Sequence, residues 1–117
     1  MADLKELQAL VAKIRRQRGF TMDPLQIFTL LNEEIGEVAT ELKRIWSPNY
    51  GKFSKEKMRE ELADVLVCLI ALANQFEIDL EKALIDKMVK KDSQRDWRSA
   101  ELVKSRNNKG AVPKVPL

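Results

Sequence analysis

The feature that most restricts what this chain can fold into is a run of 12 residues, Leu62 to Ala73, in which Asp64 is the sole charged side chain. A run that short cannot span a bilayer, which takes roughly 20 apolar residues in a helix. It has to be covered by other parts of a soluble molecule. Met58, Leu62, Val65, Leu69, Leu72 and Phe76 recur at helical spacing, and Leu66, Val67, Ile70 and Ala73 make most of the remaining surface apolar. A helix apolar on nearly every side is expected to be buried. Glu61 and Asp64 then enter a buried helix at its first turns, although a helix interior disfavours Asp.

The rest of the chain reads as helices with recognisable ends. The first runs from about Asp3 to Arg18 and stops at Gly19. Asp23 is an N-cap with Pro24 at the first helical position, where its missing N–H costs nothing. That second helix reaches about Trp46, where Ser47-Pro48-Asn49-Tyr50-Gly51 forms a turn-rich break. Its expected core stripe is Leu25, Phe28, Leu31, Ile35, Val38, Leu42 and Ile45, with Glu34, Glu37 and Glu41 along the edge. Ser54 caps the third helix, to about Phe76, and Asp79 caps a fourth that extends to about Trp97. No β-hairpin signal or internal repeat is present. The expectation is an all-α, four-helix bundle-like protomer in residues 1–97, followed by a basic tail in 98–117.

Length and charge narrow the classes further. A chain of 117 residues supports one domain. One cysteine, Cys68, cannot form an internal disulfide, which fits a reducing, cytoplasmic setting. The N-terminus lacks the uninterrupted apolar stretch of a signal peptide. The net charge of +3 sits in the tail, where residues 98–117 carry five basic groups against Glu101 and leave the remainder slightly acidic. That distribution argues against nucleic-acid binding and for a solvated tail.

The chemistry lies in two acidic clusters, Glu33-Glu34-Ile35-Gly36-Glu37 and Glu60-Glu61-Leu62-Ala63-Asp64. Glu34 and Glu37 are three apart and share a helix face, as do Glu61 and Asp64. A short connection favours antiparallel packing, which lets the two pairs converge. Ionised carboxylates gathered at the edge of a core raise one another's pKa, and hard divalent cations with oxygen ligands, Mg²⁺ or Mn²⁺, offset that cost. Each cluster alone is common on solvated helix faces; the two together are more specific. The chain has no histidine, which removes the Glu-x-x-His arrangement of di-iron bundles, most zinc sites and histidine acid–base catalysis. No GxxxxGK[ST] phosphate loop is present, so phosphate chemistry here runs through metal and Lys or Arg.

In this order and spacing the motifs resemble those of the MazG-like, all-α nucleoside triphosphate pyrophosphohydrolases. The likeness is carried by Arg18-Gly19-Phe20, by LNEEIGE from Leu31 to Glu37, by EELADVL from Glu60 to Leu66, and by KMVKKDSQRDW from Lys87 to Trp97. The resemblance implies Mg²⁺ ligands at Glu34, Glu37, Glu61 and Asp64, with Glu33 and Glu60 orienting a ligand or water. It places phosphate-side cations at Lys91 and Arg95, although Asp92 stands where many relatives carry an amide. It implies attack of water on the α-phosphorus of a nucleoside triphosphate, releasing pyrophosphate. Trp46, Phe20 and Tyr50 can stack on a base; helix-end anchoring for Trp46 and core packing for Phe20 are the alternatives.

Two other functions stay open at this level. One is phosphoribosyl-ATP pyrophosphohydrolysis, which shares the helical plan, and the other is a non-enzymatic helical interaction module whose acidic stripe is merely solvated. Four helices with so much apolar surface also imply self-association, as a homodimer or homotetramer. Glu41 lies outside the motif and is expected to matter little.

Overall fold

The structure, a computed structural model, describes residues 2–91. Among them there are helices and no strand: α1 (Leu4–Gln17), α2 (Pro24–Trp46), α3 (Lys55–Gln75) and α4 (Leu80–Ile85), the last continued by a π-helical segment, Asp86–Lys91. The fourth helix is therefore not one regular α-helix as expected. Its described part widens after Ile85, and the stretch from Asp92 to Trp97 lies outside the described residues. The chain divides into two compact units, residues 1–83 and 84–117. In the second unit, Lys90 Nζ pairs with Asp86 at 3.2 Å along the π-helical segment.

Each start signal read from the sequence does its work. Asp3 accepts from Glu6 N–H at 2.8 Å, Asp23 from Leu25 N–H at 2.9 Å, Ser54 from Lys57 N–H at 3.1 Å and Asp79 from Lys82 N–H at 3.1 Å. These bonds satisfy N–H groups that the first helical turn leaves without partners. The ends of α1 and α3 close alike. Phe20 N–H reaches Arg15 C=O and Gly19 N–H reaches Arg16 C=O, with Gly19 at φ 68°. Ile78 N–H reaches Ala73 C=O and Glu77 N–H reaches Asn74 C=O, with Glu77 at φ 53°. Both are Schellman closures, which need one left-handed residue; α1 supplies glycine for it and α3 does not.

Both α1 and α2 pack on α3. The seam of α2 differs from the expected stripe. Ile27, Leu31 and Glu41 are buried and Glu34, Val38 and Ile45 half-buried, whereas Phe28, Ile35 and Leu42 are exposed. Leu31, Val38 and Ile45 belong to both patterns, so the helix is turned about half a residue step from the expected orientation, roughly 50°. Apolar side chains are thereby traded outward and two carboxylates inward. Leu25 at 78% exposure and Trp46 at 71% extend that outer apolar strip.

The expectation that α3 is buried on all sides is also corrected. Cys68, Ile70, Ala71 and Ala73 are buried, but Leu62, Leu66, Val67, Leu69 and Phe76 are exposed. Two neighbouring helices cover two sides of α3, and the described protomer has nothing on the others.

A polar clasp joins α1 to the far end of α3. The buried Gln8 side chain donates to Asn74 Oδ1 (3.0 Å) and to Ile78 C=O (2.9 Å), and accepts from Leu80 N–H (2.9 Å). Asn74 returns a bond to Gln8 C=O at 3.0 Å. Every polar atom of these two amides that must be buried is matched, which is what burial of amides demands.

Candidate metal centre

Two contacts fix how α2 and α3 lie. Near the C-terminal end of α2, Glu41 accepts from Ser54 N–H at the start of α3; in mid-helix, Glu34 faces Glu61 and Asp64. Rising numbers on α2 thus meet falling numbers on α3, so the helices are antiparallel. This arrangement gathers carboxylate oxygens of Glu34, Glu61 and Asp64 within 4.8 Å of one another. Glu61 is buried, Glu34 half-buried and Asp64 exposed, so the group opens from the helix seam towards solvent.

Electrostatics reflect the crowding. The Glu34 carboxyl is raised above its ordinary value, first by burial, then by the charges of Asp64, Glu61, Glu37 and Glu33. Lys57 is the one cation paired with the group among the described residues, its Nζ 3.2 Å from Glu61 Oε1. Its ammonium is held above the usual lysine range by that hydrogen bond and by the Glu61 charge, with Glu60 and Glu37 adding and burial opposing. One exposed lysine leaves most of the negative charge uncompensated. An all-oxygen donor set with unrelieved repulsion fits a hard divalent cation such as Mg²⁺ or Mn²⁺.

The remaining expected site residues are placed less centrally. Glu37 is exposed one turn along α2; it acts on Glu34 through its charge, outside the group of three. Glu33 and Glu60 are exposed beside Glu34 and Glu61. Trp46 ends α2 and is largely in solvent. Lys91 is the exposed last residue of the π-helical segment, and Arg95 lies outside the described residues.

Glu41 is where the sequence reading erred. It is 2% exposed, its Oε1 accepts from Ser54 N–H at 2.7 Å, and its Oε2 pairs with the Arg44 guanidinium. Far from being a solvated edge residue, it ties the start of α3 to α2. The signal was present as a heptad running through residues 27, 31, 34, 38, 41 and 45, hidden because two of its members are acidic. Lys57 was missed as well, although its i,i+4 spacing to Glu61 is a standard ion-pair offset. Cys68, one turn past Asp64, is buried. Its thiol is pushed up by that burial and by Glu34, with Arg15 opposing and Asp64 adding.

Acidic side chains opposed across two antiparallel helices, in a chain without histidine, make an oxygen-donor site within an all-helical arrangement of the described residues. Residues 22–98 match the model of the MazG nucleotide pyrophosphohydrolase domain, and the chain belongs to that family. YpjD of Bacillus subtilis, whose function is uncharacterized, is 35% identical over 97 residues, covering 80% of this chain and 86% of that protein. The crystal structure of YPJD, provisionally named a pyrophosphatase, has a TM-score of 0.68 at 34% identity and covers 82% of this chain and 98% of its own. The dCTP pyrophosphatase 1 of Rattus norvegicus is 31% identical over 97 residues, 75% of this chain and 54% of the enzyme. Its Homo sapiens counterpart is 30% identical over 118 residues, 93% and 65% respectively. The chain thus spans between half and two thirds of those two enzymes.

Proposed function

We propose that this protein is a Mg²⁺-dependent nucleoside triphosphate pyrophosphohydrolase, converting a (d)NTP to its monophosphate and pyrophosphate as house-cleaning of the cytoplasmic nucleotide pool. The observation that carries the reading is the convergence of Glu34, Glu61 and Asp64 within 4.8 Å, in a chain of the MazG family. Glu34, Glu61 and Asp64, with Glu37 beside them, would hold the cation. When bound, Mg²⁺ supplies positive charge for phosphate oxygens and lowers the pKa of water.

The protein's own groups do the rest. Glu33 and Glu60, exposed beside the ligands, orient the attacking water or a ligand carboxylate. Lys91 and Arg95 take up the charge of the departing pyrophosphate, and Trp46 offers a ring face to the base. Residues 1–97 form the catalytic domain and 98–117 a basic tail. The outer apolar strip of α2 and the exposed side of α3 are covered by a second copy, as a homodimer or homotetramer, because such patches are unusual on monomers. No helix of the described residues is long and apolar enough to cross a membrane.

The names of the mammalian relatives make dCTP the first nucleotide to try. Pyrophosphate release is measured on a panel of ribo- and deoxyribonucleoside triphosphates, phosphoribosyl-ATP included, with and without Mg²⁺. Release from at least one (d)NTP, abolished by chelation, supports the reading; no release from any of them overturns it.

A further inference from the structure

A second pocket, with no carboxylate in its lining, lies between the C-terminal turns of α1 and α3. There a cavity of about 120 Å³ is lined by Arg15, Arg16, Asn74 and Gln75 on one side and by Ala12, Met22 and Ala71 on its apolar side. A single water needs ~10–15 Å³ of such space, so this volume admits a polyatomic ligand. Arg15 is 7% exposed, yet no carboxylate pairs with it among the described residues. Its one hydrogen bond runs from a terminal nitrogen to Thr21 C=O at 3.1 Å, and its guanidinium carbon lies 5.3 Å from the centre of the Phe20 ring.

A buried charge is normally paired. No fully enclosed side-chain nitrogen or oxygen in the described residues lacks a partner. The unbonded nitrogens of Arg15 are therefore not fully enclosed, and Arg15 is one of the residues lining the cavity. Arg16, the next residue, adds a second guanidinium, and Gln75 a side-chain amide. From Leu7 to Met22 the sequence holds Lys13, Arg15, Arg16 and Arg18 and no acidic residue. The backbone carbonyls that could have competed for the arginines, those of Ile14, Arg15 and Arg16, are already taken up in the closure of α1.

We propose that this pocket binds a small oxyanion of the phosphate class, gripped by the fork of Arg15 and capped by Arg16 and Gln75. Guanidinium groups present paired N–H donors that match phosphate oxygens and make charge-assisted bonds to them. The site is separate from the carboxylate group and does not depend on its occupation by metal.

The test uses the full chain in excess chelator, where the acidic centre repels anions and stays silent. Thermal melts are compared in inorganic phosphate and in chloride at equal ionic strength. The wild type should melt higher in phosphate, with saturation, since a ligand that binds only the folded state stabilises it. Arg16→Ala, an exposed position that folding tolerates, should weaken the apparent phosphate affinity by about tenfold or more, and Gln75→Ala should weaken it less. Arg18→Ala removes the same charge from the same helix end without touching the pocket, and should leave the shift intact. No phosphate-specific shift in the wild type, or an equal loss in Arg16→Ala and Arg18→Ala, overturns the proposal.

Discussion

Glu41 Oε1 and the backbone N–H of Ser54 meet at 2.7 Å, joining the last turns of α2 to the residue that caps α3. This bond sets where α3 begins along α2, and so helps bring Glu61 and Asp64 level with Glu34. The carboxylate is wholly buried, with Arg44 on its other oxygen.

Glu41→Gln should therefore destabilise the protein. The amide keeps the shape but weakens a charge-assisted bond and leaves the Arg44 cation without its partner. A loss of about 1–3 kcal/mol is expected, read as a fall in denaturation midpoint at unchanged slope. Stability equal to wild type would mean that the clamp is dispensable.

Asp64→Asn should do the reverse in the metal-free protein. Asp64 is exposed and repels Glu34, so removing its charge leaves apo stability equal or higher. The variant should lose most of the stabilisation that Mg²⁺ gives wild type, and with it hydrolysis. A melt with and without Mg²⁺, paired with a pyrophosphate assay, reads both; a much lower apo melting temperature with activity retained would sink the metal assignment.

Glu34 sets a pH dependence of definite sign. Its carboxyl is raised above 4.5 in the folded protein, so between that value and the raised one the native state holds more proton than the unfolded state. Linkage then makes this group's contribution to stability fall as pH rises through the folded pKa, and grow as pH drops towards 4.5. Stability against pH in chelator should show this slope, and Glu34→Gln should remove it. An identical profile in the variant would place the proton elsewhere.

The two left-handed helix ends differ in residue type, and that difference is measurable. Gly19→Ala puts a Cβ at φ 68° into open space, so its cost is conformational alone, about 1 kcal/mol. Glu77→Gly relieves the same strain at φ 53° and should raise the melting temperature by a corresponding few degrees. Calorimetry on the pair checks both; a stabilised Gly19→Ala would contradict the backbone argument.

Much of this was legible beforehand, for physical reasons. Asp3, Asp23, Ser54, Asp79 and Gly19 act on their own immediate neighbours, so local sequence suffices to place them. The orientation of α2 was not legible. Phe28, Ile35 and Leu42 make a greasier stripe than Ile27, Glu34 and Glu41, and hydrophobicity alone selects the former. What decides is the partner helix, whose Glu61 and Asp64 meet Glu34 and whose Ser54 meets Glu41. The approach of Glu61 and Asp64 to Glu34 could be read because those two share a face at i,i+3 spacing and a short connection favours antiparallel helices; Glu37, expected to join them, stands outside the group of three. The burial of Arg15 could not, since it depends on how the end of α1 meets α3.

The grip of Gln8 on Asn74, Ile78 and Leu80 sets an order of events. Its partners lie 66 to 72 residues away along the chain, and so wide a separation makes the contact entropically slow to form. During synthesis α1 emerges first, but its buried amide finds its complement only once residue 80 has left the ribosome. Until then the Gln8 amide lacks part of its complement, and the turn from Ile78 to Leu80, which joins α3 to α4, is what completes the docking of the first helix.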